Sequence, residues 1–185
     1  MNQEEALKTE LETKFSFLKD RLKITRIRRL FSDYLTLSEF MEVFDYAVKN
    51  MQFVHLCTIT GLDELEFYGF IYHLARQDGI VLNLKSSVSK DNAVIETITS
   101  YFPGGAIYEH ELEDLLGVKV HGLPEGHTYP LPEGWPKGEY PLRKDWNPEV
   151  LNGMEINKNV CAVSESGNII NADENSKPEE VKKNV

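Results

Sequence analysis

Residues with the chemistry to form a site gather in two places along the 185-residue chain. The first is YEHELEDLLG, residues 108–117, where helical spacing sets Glu109 and Glu113 at i,i+4 and Glu111 and Asp114 at i,i+3. Paired carboxylates can exchange protons or hold a cation. They can equally be a solvated face, or wait for cations, because like charges crowded on one helix repel unless answered. The second place is GEYPLRKDW, residues 138–146, whose Arg143 and Lys144 are the nearest cations in sequence. A structural ion network between the two stretches is the preferred reading. His110, His121 and His127 could join the carboxylates in a metal site, which would make the chain a free-standing metal-dependent enzyme. Their spacing matches no known ligand signature.

Other routes to independent catalysis find no residues. Phe102-Pro-Gly-Gly-Ala lacks the spacing of a dinucleotide loop, and neither a phosphate-binding loop nor a nucleophile elbow occurs. Cys57 and Cys161 are too few and too far apart to ligate an iron–sulfur cluster unaided. Cys57, inside an apolar stretch, reads as a small core residue. His55 and His73 read as satisfied or edge residues of strands.

These stretches need elements to position them. A first helix is expected over residues 3–18, with Leu7, Leu11, Phe15 and Leu18 at helical spacing. Residues 23–30 read as a strand. A second helix is well signalled: Thr36 and Glu39 form a capping box, and Leu35 and Phe40 a hydrophobic staple. Leu37, Phe40, Met41, Phe44, Val48 and Met51 then recur on one face. Strands are expected over 53–60, 65–75 and from Ile80 on, with Tyr68, Phe70, Tyr72 and Leu74 alternating onto one face and Asp78-Gly79 turning the hairpin. Residues 94–101 read as a short helix. The acidic helix follows over 107–116, closed by Gly117. The sum is an α+β fold, a mostly antiparallel sheet with helices on one face.

After Gly117 the composition shifts. Pro124, Pro130, Pro132, Pro136, Pro141 and Pro148 exclude helix and interior strand. Tyr129, Trp135, Tyr140 and Trp146 would sit in water if the stretch were unstructured. An ordered, proline-stiffened arm that presses aromatics and Arg143 onto a surface is expected, since Trp, Tyr and Arg dominate interface energies. The organisation expected is an α+β domain over 1–117, an interface arm over 118–150 and a polar, at least partly disordered tail over 151–185.

The net charge of -10 disfavours adhesion to nucleic acid or anionic lipid. One basic run, Arg21, Lys23, Arg26, Arg28 and Arg29, departs from it. That run could grip an acidic partner, though a solvated strand face is the plainer reading. No apolar stretch approaches the roughly 20 residues of a membrane span, and the polar, acidic N-terminus does not read as a secretory signal. A cytoplasmic protein that meets membrane only through partners is expected.

On these residues the chain resembles the 30-kDa subunit family of respiratory complex I, and most of all its counterparts in energy-converting, membrane-bound nickel–iron hydrogenases. The family's helix signature, roughly Glu-Arg-Glu-x-x-Asp, two apolar residues and Gly, appears as Glu109, His110, Glu111, Asp114, Leu115, Leu116 and Gly117. Its Gly-x-x-Pro-Leu-Arg-Lys-Asp is matched by Gly138, Pro141, Leu142, Arg143, Lys144 and Asp145. Leu131-Pro132-Glu133-Gly134-Trp135 looks like the family's Leu-Pro-x-x-Trp step. His110 stands where the family has Arg, and imidazole lacks the bidentate charge of guanidinium. Gly138-Glu139-Tyr140, in place of Gly-His, leans toward the hydrogenase branch.

The resemblance implies a cofactor-free peripheral subunit at the cytoplasmic face of the membrane. Its partners would be a large hydrogenase-like (49-kDa type) subunit, a small iron–sulfur subunit and a ferredoxin-like subunit. Those partners would carry the iron–sulfur clusters and, in a hydrogenase, the nickel–iron site. Glu109, Glu111, Asp114, Arg143, Lys144 and Asp145 would form the structural network. Trp135, Tyr140, Pro141 and Trp146 would be the contact surface. The alternative is the equivalent subunit of an NADH-, F420H2- or ferredoxin-dependent quinone oxidoreductase.

Overall fold

The computed structural model describes residues 2–126 and 130–152, and the backbone of a short antiparallel pair, Ala162–Val163 with Ile169–Ile170. The remainder of the expected tail, and Tyr129 and His127, lie outside the described residues.

The fold is α+β. Strands β1 (Leu22–Arg26), β2 (Arg29–Leu35), β3 (His55–Asp63), β4 (Phe67–Ala75) and β5 (Val81–Ser89) make one sheet in the order β1-β2-β5-β4-β3. All neighbours pair antiparallel except β2 with β5. Helix α2 (Leu37–Asn50) begins with the expected capping box: Thr36 Oγ1 accepts from Glu39 N at 3.3 Å, and Thr36 N donates to Glu39 Oε2 at 2.9 Å. Arg21 also reaches Glu39, at 2.9 Å, and this ion pair more than anything else lowers that carboxyl below its ordinary range. One cation of the basic run thus serves a helix cap.

Helices cover one face. Phe40 and Phe44 of α2 pack on Tyr72 of β4, with ring centroids 4.5 Å and 5.9 Å away. Each such buried side chain contributes about 1.5–3 kcal/mol. Helix α3 (Ala106–Leu116) lies on β3 at Gly61, where a Cβ would stand 2.5 Å from Leu112 and 2.6 Å from Leu116. Gly61 pairs with Phe70, which shares the face of Tyr72, so α2 and α3 sit on the same side. Helix α1 (Gln3–Lys14) joins them through Phe15, edge-on to Tyr46 at 5.5 Å. The opposite face, with Phe31, His73, Asn83 and Lys85, carries no helix among the described residues.

Four expectations are corrected. The first helix stops at Lys14, because Phe15 is extended before a 3₁₀ turn over Ser16–Leu18. Residues 23–30 are not one strand but parts of β1 and β2. Arg28 turns the chain at φ 60°, pinned by its N–H donating to Glu4 Oε1 at 2.7 Å. Residues 94–101 are not a helix: the β-branched Val94 and Ile95 start β6 (Val94–Glu96), which pairs parallel with β7 (Lys119–His121). The segment after Gly117 therefore contributes a strand before its first proline. Cys57 is exposed rather than core, since it is the extra residue of a bulge between Leu56 and Thr58 on edge strand β3.

His73 is satisfied, as expected, between Thr60 Oγ1 at 3.1 Å and Asn83 Oδ1 at 2.6 Å. No helix among the described residues is long and apolar enough to cross a membrane.

Candidate functional site

The two sequence motifs meet. Helix α3 ends with its last carbonyls unsatisfied by its own turn, the negative end of the helix dipole. The segment 138–146 supplies the donors: Leu142 N donates to Leu115 O at 3.0 Å, and Arg143 Nε to Leu116 O at 2.7 Å. The Arg143 guanidinium also lies 4.2 Å from the Tyr140 ring centroid and 5.5 Å from that of Tyr68. Gly117 is needed twice here. It closes α3 at φ 70°, and a Cβ on it would collide with Arg143 and stand 2.6 Å from the Tyr140 ring.

A third anchor comes from the end of β3. Asp63, 6% exposed, accepts from Lys144 N at 3.0 Å and Leu65 N at 2.9 Å, and pairs with Lys90 Nζ at 2.6 Å. Burial pushes its carboxyl up, but Lys90 and the two backbone N–H groups together outweigh burial and hold it down to about 2. Asp63 is thus an ionised clamp beneath the Pro-Leu-Arg-Lys-Asp turn.

The carboxylates of α3 do other work. Glu109, 0% exposed, accepts from Ile98 N at 2.7 Å and Thr97 Oγ1 at 2.5 Å. Burial raises its carboxyl above the ordinary range despite those two hydrogen bonds. Glu113 Oε1 accepts from Val120 N at 3.0 Å. Asp114 is raised mainly by burial, and its Oδ2 has no hydrogen-bond partner among the described residues. Glu111 is exposed, and His110 Nδ1 lies 3.7 Å from Glu113 Oε2.

The expected ion network between these carboxylates and Arg143 and Lys144 is therefore corrected. Arg143 caps the helix and stacks on tyrosines, and Lys144 is held through its backbone by Asp63. The physical reason is position: Arg143 meets the carbonyl end of α3, whereas Glu109 faces Thr97 and Ile98, just past β6, and Glu113 faces Val120 of β7.

The two tryptophans of this segment pack on each other. Trp135 and Trp146 stack with centroids 5.9 Å apart, and both indoles donate to Glu139, to its carbonyl and its carboxylate, each at 2.8 Å. Gly138 permits the turn between them at φ 86°. Pro141 is half-buried. Outward stand Leu142, 52% exposed, with Lys144 and Asp145. His121 Nδ1 contacts Glu96 Oε2 at 2.9 Å, apart from His110. Among the described residues no three of His, Cys, Asp and Glu come together as a metal-holding group. What the arrangement can do chemically is present a rigid, clamped turn with an apolar and a charged tip.

The family model for the respiratory-chain NADH dehydrogenase 30-kDa subunit matches residues 34–150, from the α2 cap to just past the clamped turn. The chain belongs to that family. One of the subunits of the F(420)H(2) dehydrogenase of Methanosarcina mazei is 35% identical over 119 residues, 61% of this chain and 73% of that one. The beta subunit of the membrane-bound hydrogenase of Pyrococcus furiosus is 32% identical over 87 residues, 45% of this chain and 49% of that one. One of the NADH-quinone oxidoreductase subunits of Shewanella oneidensis is 36% identical over 87 residues, but the match spans only 14% of its length. A chain of the archaeal membrane-bound sulfane sulfur reductase shares the fold, with a TM-score of 0.70 at 22% identity over 80% of this chain and 88% of that one. The relatives of this 30-kDa-type subunit are thus subunits of membrane-bound redox complexes.

Sequence reasoning missed Asp63, Lys90, Tyr68, Thr97 and Ile98. Gly61-Leu-Asp-Glu reads as a turn, and the available signal was Asp63 itself, whose side chain caps the N–H two residues on at Leu65, φ 69°. Nothing local tells that the other carboxylate oxygen serves Lys144, 81 residues away.

Proposed function

We propose that this chain is a non-catalytic scaffolding subunit of a membrane-bound, ion-translocating redox complex of the energy-converting hydrogenase type. It would hold the large catalytic subunit in the cytoplasmic electron-transfer arm, beside the small iron–sulfur and ferredoxin-like subunits. The iron–sulfur clusters and the nickel–iron site would belong to those partners. The observation that carries the reading is the clamped turn: three anchors on two elements fix its backbone, while Leu142, Lys144 and Asp145 remain exposed. A turn held this firmly with its tip unused suits a partner that reads shape and charge together, because preorganisation lowers the entropy cost of binding.

The test is co-purification from solubilised membranes. Arg143→Ala removes one of the turn's two anchors on α3 and is expected to lower recovery of the large subunit, and normal recovery would count against scaffolding through this turn. A second reading is favoured by the longer match to the F(420)H(2) dehydrogenase relative, and makes the complex a quinone-type oxidoreductase fed by F420H2, NADH or ferredoxin. Nickel in the large subunit of the purified complex selects the hydrogenase reading, and a complex without nickel selects the other.

A further inference from the structure

The helix-free face of the sheet holds a second concentration of chemistry, remote in sequence from both motifs. Lys23, Arg26, Arg29, Phe31, Asp33 and Lys85 line an open concavity of about 600 Å³. In a chain with 20 basic and 30 acidic residues, this hollow reverses the balance, with four cations to one carboxylate. Among the described residues only one of the four is answered within the hollow: Lys23 Nζ lies 3.2 Å from Asp33 Oδ1. Arg26 and Arg29 stand directly opposite each other across β1 and β2, an unfavourable like-charge pair, and neither has an ion-pair partner among the described residues. Lys85 Nζ is held over the rings of Phe31 and Tyr34, 5.9 Å and 5.4 Å from their centroids.

We propose that this face docks an acidic segment of another polypeptide. The spread of the cations argues for a polypeptide rather than a phosphate compound. Arg29 pairs with Val81 and Lys85 with Tyr34, so the backbone positions that carry the two cations lie about 13 Å apart along the strands. That distance suits carboxylates spaced along a chain. Among the described residues no helix N-terminus or glycine-rich nest lines the hollow to wrap a compact phosphate. Half-buried Phe31 and Tyr34 give the segment's apolar side chains a floor, and the paired arginines lose their mutual repulsion when carboxylates lie between them. The interaction is independent of the clamped turn, which packs against Tyr68 on the other face of the sheet.

Zero-length carbodiimide coupling of the intact purified complex, followed by mass spectrometry, tests this. The reagent joins amines only to carboxylates in contact, and the Lys23–Asp33 pair serves as internal control. A link from Lys85 to an Asp or Glu of another chain is expected. In a complex built with R26E/R29E, that link should fall by about tenfold, since like-charge juxtaposition costs several kcal/mol at an interface. The proposal fails if the wild-type complex yields only the internal link, or if the variant couples Lys85 as well as wild type does. It also fails if tripolyphosphate binds the face while no polypeptide carboxylate is ever joined. Loss of the Lys85 link with normal recovery of the large subunit separates this face from the clamped turn.

Discussion

The two halves of the candidate site use the same chemical group in opposite ways. On α3, Glu109 is fully buried, and burial raises its carboxyl. At the end of β3, Asp63 is also covered, yet its carboxyl is held at about 2. The difference lies in partners. Glu109 has two neutral donors, which recover part of the desolvation cost. Asp63 has two N–H donors and an ammonium at 2.6 Å, which reverse it. Glu109 fixes where the helix sits, and Asp63 fixes where the turn sits.

Replacing Asp63 should have the largest effect. Asp63→Ala leaves two N–H groups and the partly exposed Lys90 ammonium without their acceptor, a loss of about 3 kcal/mol. Chemical denaturation of the isolated chain measures it, and a loss under about 1 kcal/mol would dissolve the contrast with α3. Glu109→Ala orphans the Ile98 N–H and the Thr97 hydroxyl and should cost about 2–3 kcal/mol. Glu109→Gln should cost less, because the amide oxygen can still accept from Ile98 N while its NH2 donates to the Thr97 hydroxyl.

Acid titration sharpens the contrast with opposite signs. Asp63 drops from an ordinary 3.8 to about 2, so its contribution is full above the unfolded value and is lost as pH falls through the folded one. The amount is about 2 kcal/mol between roughly pH 4 and pH 2. Glu109 is raised, so its contribution is full below the unfolded carboxyl value and fades as pH rises through the folded one. Stability measured against pH should lose its steepest acid limb in Asp63→Asn and keep it in Glu109→Gln. The smallest change is Thr36→Ala, remote from both halves, which removes the α2 cap and should cost about 1 kcal/mol in the same denaturation assay.

Local signals are the legible ones. The Thr36–Glu39 box, the apolar stripe of α2, the alternation of β4 and the closure of α3 by Gly117 each depend on neighbours a few residues apart. The residues of both motifs can likewise be named from sequence. Their partners cannot, since Arg143 answers a carbonyl rather than a carboxylate and carries no mark of that choice. Val94–Glu96 reads as helix because its pairing strand begins only at Lys119, and β-branched residues in so short a run suit either state until that strand is known. Cys57 escapes the alternation for a related reason, as one bulge residue moves it off the core face.

Scaffolding through the tip of the clamped turn is best tried with Leu142→Asp combined with Lys144→Glu, which leave all three anchors in place because those use backbone groups and Arg143. The expected result is an unchanged melting midpoint for the isolated chain and at least about a tenfold drop in the large subunit recovered with it. Full recovery of the large subunit by this variant would contradict docking at residues 142–145.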